Sequence, residues 1–319
     1  MKILIIGGAG FIGFSLLKEL INYKASITII DDFSRGKMDK ELKKINKNIN
    51  VKLLKFDFLK YPLNKINKNF DYVLNCAAIV GVKNVIKNPY KVLSLNTNIN
   101  EKAIELCKLQ KKLKKFIFFS SSEIYSISQK KNICKIPTDE KSNILFEYSN
   151  SPRNSYMISK FYGEKMCEYS GLPYLILRPH NIYGPRMGFS HVIPNVIYKA
   201  IKKNNIKVES PNHSRVFCFI TDACQLVISL MKNKKAVNLI INLGSNDKEI
   251  KIKKLAYKIK KIIKSKKKLT LGKITTGSVS RRAPDIRLLL KYCKGFKFRS
   301  LDDGLSKTID WYKNFYEKN

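Results

Sequence analysis

Three glycines near the start of the chain constrain its fold more than any other feature. Gly7, Gly10 and Gly13 lie in "GGAGFIG", directly after the apolar run "KILII" and before "FSLLKELINY", whose apolar residues have helical spacing. A strand that turns on glycines into a helix brings backbone N–H groups and the positive end of the helix dipole to one point. The pattern predicts that this turn binds the pyrophosphate of a dinucleotide.

Asp31 supports that prediction. It lies in the next apolar run, "SITIIDD", 18 residues after Gly13. A carboxylate at the end of the second strand of such a unit can bind the adenosine ribose hydroxyls. Because a carboxylate repels a 2'-phosphate, Asp31 favours NAD over NADP, while Arg35 in "DDFSRG" keeps NADP as an alternative.

Strand-like and helix-like segments alternate through the first half of the chain. Further strands are "NVKLLKFD", "YVLNCAA" and "KFIFFSSS", and the helical "SYMISKFYGEKMCEYSG" leads to the strand "PYLILRP". This alternation predicts right-handed crossovers and a parallel sheet covered on both faces. We expect an α/β chain: a Rossmann-type doubly wound parallel sheet over residues 1–178, then a smaller C-terminal α/β substrate domain over 179–319, with some segments that return to the first domain.

Composition excludes several classes of protein. The chain has 319 residues, 44% of them hydrophobic and 27% charged, which is a globular balance. Seven cysteines without a CxxC pair predict neither a disulfide framework nor a zinc site, and the three histidines have no metal spacing. No run approaches the roughly 20 apolar residues of a membrane helix, and the start is unlike a secretory signal. We expect a cytoplasmic protein with no metal and no membrane association.

The formal net charge of +38 invites comparison with nucleic-acid-binding proteins. Of the 62 basic residues only nine are Arg, and the lysines are spread with Asn and Ile along the whole chain. A nucleic-acid groove would concentrate Arg and aromatic residues in one stripe. The charge is therefore interpreted as diffuse, and no nucleic-acid partner is expected.

A tyrosine and a lysine form the first candidate for chemistry. "YMISK" places Tyr156 and Lys160 four residues apart in a helical segment, so both side chains project from one face. A phenol loses its proton near pH 10 in water. A neighbouring ammonium and a positive nicotinamide ring both favour the phenolate, so Tyr156 can become a general base near neutral pH.

Six motifs in chain order resemble those of the extended short-chain dehydrogenase/reductase family, which includes nucleotide-sugar epimerases, dehydratases and decarboxylases. They are "GGAGFIG", "DDFSRG", "SSSEIY", "YMISK", "RPHNIYGPRM" and "RRAPDI", and the match runs from the first strand to the last helix. The resemblance implies NAD as cofactor, a nucleotide-diphosphate sugar as substrate and a homodimer formed through a helical pair. "NCAA" departs from the family's usual His-Leu-Ala-Ala: Asn75 replaces the His, and two alanines remain.

The resemblance also implies roles for individual residues. Ser121 would hold the sugar O4 while Tyr156 takes its proton and a hydride leaves C4, which gives a 4-keto sugar. For Asn96, a buried structural hydrogen bond is an equal interpretation. The cofactor set is Gly7, Gly10, Phe11, Ile12, Gly13, Asp31, Asp32, Ser34, Asp57, Phe58, Ala77, Ala78, Asn96, Tyr156 and Lys160. The substrate set is Ser121, Ser122, Asn181, Val192, Arg215 and Arg282, whose two arginines would clamp the diphosphate.

Glu123, two residues before Tyr125, is where the branches of the family differ. A 4-epimerase needs no acid or base beyond the shared set, whereas dehydratases and decarboxylases carry a carboxylate here, and "RRAPDI" is similar to the UDP-glucuronate decarboxylases. Ser122 and Ser159 differ from the usual dehydratase and decarboxylase patterns respectively. We therefore expect an NAD-dependent, UDP-glucose 4-epimerase-like enzyme, with Glu123 as a further catalytic candidate.

Three alternatives stay open. A nucleotide-sugar 4,6-dehydratase and a UDP-glucuronate decarboxylase use the same first step. An alternative of another class is a catalytically silent regulator that binds NAD and a polyanion. The presence of Ser121, Tyr156 and Lys160 together argues against this last possibility.

Overall fold

The computed structural model describes residues 1–147, 151–275 and 277–317. The strands are β1 Lys2–Ile6, β2 Ser26–Asp31, β3 Val51–Lys55, β4 Tyr72–Asn75, β5 Lys115–Phe119, β6 Tyr174–Pro179, β7 Ile182–Tyr183, β8 Asn205–Val208, β9 Ser214–Arg215, β10 Cys218–Phe219, β11 Leu239–Leu243, β12 Ile250–Lys251, β13 Lys268–Leu271 and β14 Arg281–Arg282. The helices are α1 Phe11–Leu20, α2 Lys40–Ile45, α3 Val82–Lys87, α4 Pro89–Lys108, α5 Ser126–Lys130, α6 Asn154–Tyr169, α7 Val192–Lys202, α8 Ile220–Lys232, α9 Ile252–Ile263, α10 Arg287–Tyr292 and α11 Leu301–Glu317. Short 3₁₀ helices cover Ile21–Tyr23, Leu63–Lys65 and Ser122–Tyr125.

Seven strands form the central sheet, in the order β11-β6-β5-β4-β1-β2-β3. The pairings from β3 across to β6 are parallel, and the register places Ile5 between Ile29 and Leu74. Every residue of β5 is buried, and so is all of β1 except its first residue. Strands of this kind are covered by helices on both faces. The predicted Rossmann-type doubly wound sheet is confirmed.

The core beside this sheet is built from apolar residues of the strands and of α4 and α6. Ile6, Val73 and Phe116 contribute from three strands, and Leu106 and Cys167 contribute from the two helices. Each of these five side chains is at most 1% exposed. Burial of this apolar surface is the main contribution that holds α4 and α6 on the sheet.

The residues group into two units by their internal contacts. The first unit comprises Met1–Ile124, Ser149–Arg178 and Cys224–Ile241, and the second comprises Tyr125–Tyr148, Pro179–Ala223 and Asn242–Asn319. Thr138 exchanges backbone hydrogen bonds with Ala283 and Asp285, which holds residues 125–148 in the second unit. Part of β11 returns to the first unit because that strand extends the sheet beside β6. The functions of the two domains stay predictions.

The topology of the sheet determines where a ligand site can form. The order of the strands reverses at β1, with β2 and β3 on one side and β4, β5 and β6 on the other. Open α/β sheets bind ligands outside the carboxyl ends of the strands at this switch point. Residues 7–13 follow β1, residues 76–78 follow β4 and residues 120–123 follow β5. The fold therefore brings the glycine turn, the two alanines and the serines to one edge of the sheet.

Candidate active site

The glycine turn joins β1 to α1 with little space to spare. Gly7 has a φ of +80°, and a Cβ there would lie 2.8 Å from the backbone N of Ala77. A Cβ on Gly13 would collide with the carbonyl oxygen of Gly7. Gly10 is the N-cap of α1 and has no side chain to cap it, so the N–H groups of Phe11 and Ile12 remain for an anion.

Asp31, at the end of β2, is buried and shapes this turn. Its Oδ2 accepts a hydrogen bond from the Ala9 N–H at 2.9 Å, and its Oδ1 accepts one from the Phe33 N–H at 2.8 Å. Burial raises the pKa of Asp31, and the two hydrogen bonds act against the rise. Asp31 thus has a structural role that the sequence did not indicate, and its contact with a ribose stays a prediction.

The loop after β2 carries three further polar residues. Asp32 Oδ1 accepts hydrogen bonds from the backbone N–H and the hydroxyl of Ser34, at 2.9 and 2.7 Å, and both residues are exposed. Arg35 donates to the carbonyl oxygen of Ala78 at 3.3 Å. Burial lowers the pKa of Arg35, and the nearby Tyr156 phenol acts against that change. Arg35 is therefore directed toward the loop after β4.

Asp57 and Phe58, both predicted to bind the cofactor, follow β3. Asp57 Oδ1 accepts a hydrogen bond from the Leu59 N–H at 3.0 Å. Phe58 is part of the apolar core, and Nζ of Lys102 lies 5.8 Å from the centroid of its ring. The Phe58 side chain packs inside the protein, and its contact with the cofactor stays a prediction.

Asn96, in α4, fastens the loop after β4 to α6. Its Oδ1 accepts from the Ile79 N–H at 2.7 Å, and its Nδ2 donates to the Ile79 carbonyl at 3.3 Å and to the Ser159 hydroxyl at 3.2 Å. Ile79 follows Ala77 and Ala78 directly. Asn96 thus makes buried structural hydrogen bonds, which was one of the two interpretations of this residue from the sequence.

Tyr156 and Lys160 lie one turn apart on α6. Nζ of Lys160 is 6.0 Å from the centroid of the Tyr156 ring and donates a hydrogen bond to the Phe119 carbonyl at 2.7 Å. Lys160 is 4% exposed, and burial lowers its pKa to about 8. The ammonium is therefore held at the carboxyl end of β5.

The protein's own groups do not make Tyr156 a phenolate near neutral pH. Burial raises the pKa of Tyr156 to about 12, and the charge of Glu123 adds to the rise. A hydrogen bond with Ser121 and the charge of Arg35 act against it. The Lys160 ammonium, which was expected to lower this pKa, donates to the Phe119 carbonyl. Ionisation of this phenol therefore requires additional positive charge beside it.

The stretch after β5 brings three further polar residues to Tyr156. Ser121 Oγ accepts from the Glu123 N–H at 3.1 Å and also hydrogen-bonds the Tyr156 phenol. Ser122, predicted to bind substrate, is 3% exposed, so its side chain lies within the protein. Glu123 Oε2 lies 4.0 Å from Nη2 of Arg153. Arg153 precedes Tyr156 by three residues. Ser121, Glu123, Arg153 and Tyr156 thus form one polar cluster.

The remaining predicted substrate residues belong to the second unit. Asn181 has a φ of +44°, and its Nδ2 donates to the Val216 carbonyl at 2.9 Å. Val192 is the first residue of α7, so its N–H is among those without a helical partner. The Asn181 side chain is thus engaged with backbone, and its predicted substrate contact stays a prediction.

Two arginines of the second unit lie directly opposite each other. Arg215 in β9 and Arg282 in β14 are partners in a parallel pair. Arg215 donates to the carbonyl oxygens of Ser214 and Val279, both at 2.7 Å, and Arg282 donates to the Ser126 hydroxyl at 2.9 Å. These hydrogen bonds to backbone carbonyls and to a hydroxyl orient the two guanidinium groups.

Four polar residues in and around the Tyr156 cluster were not predicted from the sequence. Arg153 precedes Tyr156 by three residues, and Glu164 follows Lys160 by four, so helical spacing alone places both on the catalytic face of α6. Ser120 and Arg178 lie at the carboxyl ends of β5 and β6, the edge at which ligands bind. Both signals were available in the sequence.

The first unit fits a dinucleotide. The turn has no room for a side chain at Gly7 or Gly13, and it leaves N–H groups at the start of α1 where the pyrophosphate would sit. A parallel sheet with this turn at its switch point, and with a Tyr–Lys pair on the helix after β5, defines an NAD-binding protein of the short-chain dehydrogenase/reductase kind. The chain belongs to the NAD dependent epimerase/dehydratase family, whose model matches residues 3–244. It is an enzyme, and NAD is its cofactor.

Relatives in this family have several activities. The chain is 30% identical to a UDP-N-acetyl-alpha-D-glucosaminuronate decarboxylase from Bacillus cytotoxicus, with 98% of each chain covered. It is 26% identical to a UDP-glucuronic acid 4-epimerase from Bacillus cereus, solved with UDP-glucuronic acid and NAD, at a TM-score of 0.84 with 99% and 100% of the chains covered. An epimerase from Methanothermobacter thermautotrophicus has the same fold, at a TM-score of 0.87 and 24% identity, with 99% and 93% covered.

Among the helices of the described residues, none is long and apolar enough to cross a membrane. Within residues 1–147, 151–275 and 277–317, no group of three or more His, Cys, Asp or Glu side chains lies together as metal ligands would.

Proposed function

We propose that the protein is a nucleotide-sugar epimerase that works through a 4-keto sugar. The observation that supports this most is the polar cluster after β5, which places Ser121 beside Tyr156, with Nζ of the buried Lys160 6.0 Å from the centroid of the Tyr156 ring. When bound, NAD accepts a hydride and gives one back. Tyr156 is the only group of the three that can take a proton directly from a sugar hydroxyl, since Ser121 is a weak base and Lys160 donates to a carbonyl.

The proposed roles follow from the positions of these residues. Ser121 orients the sugar O4 toward the phenol, so that the proton travels a single hydrogen-bond length. Tyr156 holds that proton while the sugar carries a C4 carbonyl, and returns it when the C4–H bond forms again on the opposite face. Lys160 supplies positive charge near the phenolate. Substrate and product have the same atoms, so no further acid or base is required.

For the nucleotide diphosphate we propose Arg215 and Arg282 of the second unit. The register of β9 and β14 makes the two arginines neighbours, so two guanidinium groups come from paired positions. A guanidinium matches phosphate oxygens with two parallel hydrogen bonds, which suits a diphosphate. Asn181 and Val192 are proposed to contact the nucleotide, as the family resemblance implies.

Decarboxylation of a nucleotide-linked uronic acid is the second candidate function. The 30% identical relative is named as such a decarboxylase. Glu123 and Arg153 support it from the structure, because a guanidinium 4.0 Å from a carboxylate can exchange that partner for the carboxylate of a uronic acid. A 4-keto uronic acid loses CO₂ readily, so this reaction uses the same first step.

One experiment separates the two candidates. The purified protein is incubated with NAD and, separately, with UDP-glucose, UDP-N-acetylglucosamine, UDP-glucuronic acid and UDP-N-acetylglucosaminuronic acid, and products are read by chromatography with mass detection. An epimerase gives a new peak of unchanged mass. A decarboxylase gives a product lighter by CO₂, which would overturn the first proposal. No product from any substrate would leave the family membership intact but contradict both proposals.

We also propose that the protein forms a homodimer. An apolar stripe is exposed along α4 and α6, consisting of Tyr90 and Leu93 from the first helix and Ile158, Tyr162 and Tyr169 from the second. Their spacing is that of one face of each helix, and a second copy offers the same face in return. Analytical ultracentrifugation should give a dimer, and Tyr162→Lys should shift it toward monomer with its fold intact. A cytoplasmic location and the absence of a nucleic-acid partner stay predictions.

A further inference from the structure

A buried carboxylate on α6 joins three elements of the first unit. Oε1 of Glu164 accepts hydrogen bonds from the Ser120 hydroxyl at 2.5 Å and from Nε of Arg178 at 2.9 Å, and its Oε2 accepts from Nη2 of Arg178 at 2.6 Å. Glu164 is 0% exposed, Arg178 2% and Ser120 4%. We call these three residues the carboxylate clamp.

Two members of the clamp adjoin residues of the proposed chemistry. Ser120 directly precedes Ser121, and its backbone N–H also donates to the Leu177 carbonyl at 2.8 Å, in β6. Glu164 follows Lys160 by one helical turn on the same face of α6. The clamp therefore ties the helix that carries the Tyr–Lys pair to the strand end that carries the serine.

The charged groups of the clamp are better suited to orienting α6 than to stabilising the fold. Replacing a buried ion pair by apolar side chains of similar size is often neutral or stabilising, so a charged pair is not needed to hold α6 in the core. An Arg–carboxylate pair with two parallel hydrogen bonds has a single favourable geometry. Rotation of α6 about its axis would break the Glu164–Arg178 pair. The pair therefore determines the direction in which Tyr156 projects.

We propose that Glu164, together with Arg178 and Ser120, is a positioning residue that fixes the distance between Tyr156 and Ser121. This inference rests on the proposed catalytic use of Tyr156. Reacting groups must be held closely, and an error of about 1 Å can lower the rate roughly 100-fold. None of the three clamp residues was predicted as a site residue.

The charge of Glu164 gives the proposal a second consequence. Burial lowers the pKa of Lys160, and the negative charge of Glu164 acts against that change. With Glu164→Gln the pKa of Lys160 falls further. If activity needs the ammonium, the alkaline limb of the pH–rate profile moves to lower pH.

The main test removes both charges at once. Glu164→Leu/Arg178→Met removes both members of the ion pair together, and Lys115→Met is the matched control, since Lys115 is also a buried cation of the first unit but lies at the other end of β5. With the substrate found active in the product assay, we expect kcat of the double variant to fall roughly 10- to 100-fold with little change in KM, while the control keeps its kcat. Thermal unfolding verifies that both variants are folded.

The outcomes are distinguishable. A folded double variant with normal kcat overturns the clamp proposal, and so does a control that loses as much kcat as the double variant. If the double variant does not fold, Ser120→Ala decides, because it removes one hydrogen bond without leaving a charge; an unchanged kcat would then overturn the proposal. Tyr156→Phe is assayed in parallel. If Tyr156→Phe is active, the proposed function itself is wrong, and the failure does not concern the clamp alone.

Discussion

Strand β5 has a buried lysine near each end, and the two resemble each other closely. Lys115, at its start, donates hydrogen bonds to the carbonyl oxygens of Leu230, Met231 and Asn233 at the end of α8. Lys160, on α6, donates to the Phe119 carbonyl at the other end of the strand. Burial lowers the pKa of both lysines to about 8.

What separates the two lysines is their surroundings. The hydrogen-bond acceptors of Lys115 are three backbone carbonyls, which accept hydrogen bonds but are not protonated near neutral pH. Lys160 has the Tyr156 ring 6.0 Å away and the carboxylate of Glu164 on the same helix face. A perturbed pKa therefore does not identify a functional lysine by itself. A second group that can exchange a proton with substrate has to lie beside it.

The largest effect is expected for Tyr156→Phe. The change removes the phenol and keeps the ring, so the fold should be unaffected while kcat falls by roughly 10²–10⁴. Product formation from the active nucleotide sugar measures this, with thermal unfolding as the control. Near-normal turnover would remove the reason for regarding the Lys160 end of β5 as the active one.

The two lysines are next compared directly by the same substitution. We expect Lys160→Met to lower kcat by roughly 10² or more, because the positive charge beside Tyr156 is lost. Lys115→Met should keep kcat but lower the free energy of unfolding by about 1–3 kcal/mol, because three buried carbonyls lose a donor. Steady-state kinetics and urea unfolding of both variants test this. Equal losses of kcat in the two variants would show that the two lysines do not differ in function.

Asp31, at the end of β2, lies on the opposite side of β1 from β5, and its substitution tests cofactor binding. Asp31→Asn removes the charge that repels a 2'-phosphate and weakens the acceptor of the Ala9 N–H. We expect NAD to bind about 10-fold more weakly, a loss of about 1.4 kcal/mol, and the preference over NADP to narrow. Calorimetric titration with both dinucleotides measures this. An unmodified protein that prefers NADP would show that Arg35 reads the cofactor instead.

The lowered pKa of Lys115 predicts how stability changes with pH. In the folded protein this pKa is about 8, whereas its ordinary value is 10.5. Between these values the unfolded chain binds more protons, so the contribution of Lys115 to stability rises as pH increases through this window. The stability gap between the unmodified protein and Lys115→Met should widen from pH 8 to pH 10. A constant gap in urea unfolding would show that the pKa of Lys115 is not lowered.

The smallest effect is expected for Glu123→Gln. In an epimerase this carboxylate touches no bond that breaks, so most of the activity should remain. In a dehydratase or a decarboxylase it would act as a base or orient the sugar beside the departing group, and the reaction should stall after the oxidation step. Product mass and turnover of the variant measure this, and a stalled variant would sharpen the assignment in favour of one of those branches.

Much of the fold follows from local sequence. The glycine turn, the apolar strands and the amphipathic helices each have a period or a residue type that local geometry demands, so the doubly wound sheet was predictable. The roles of Tyr156 and Lys160 were proposed from their four-residue spacing, which any helix preserves. The grouping of residues 125–148 with the second unit was not predictable, because it depends on the hydrogen bonds of Thr138 with Ala283 and Asp285, far away in the sequence.

By itself the sequence determined which groups of the first unit could meet, since the strand ends of a parallel sheet converge and helical spacing aligns side chains. Only the tertiary structure decided how those groups are charged and held. The high pKa of Tyr156, the donation of Lys160 to Phe119 and the burial of Glu164 with Arg178 depend on what excludes water from each residue. Burial and the contacts that accompany it come from segments distant in the chain, and no local pattern records them.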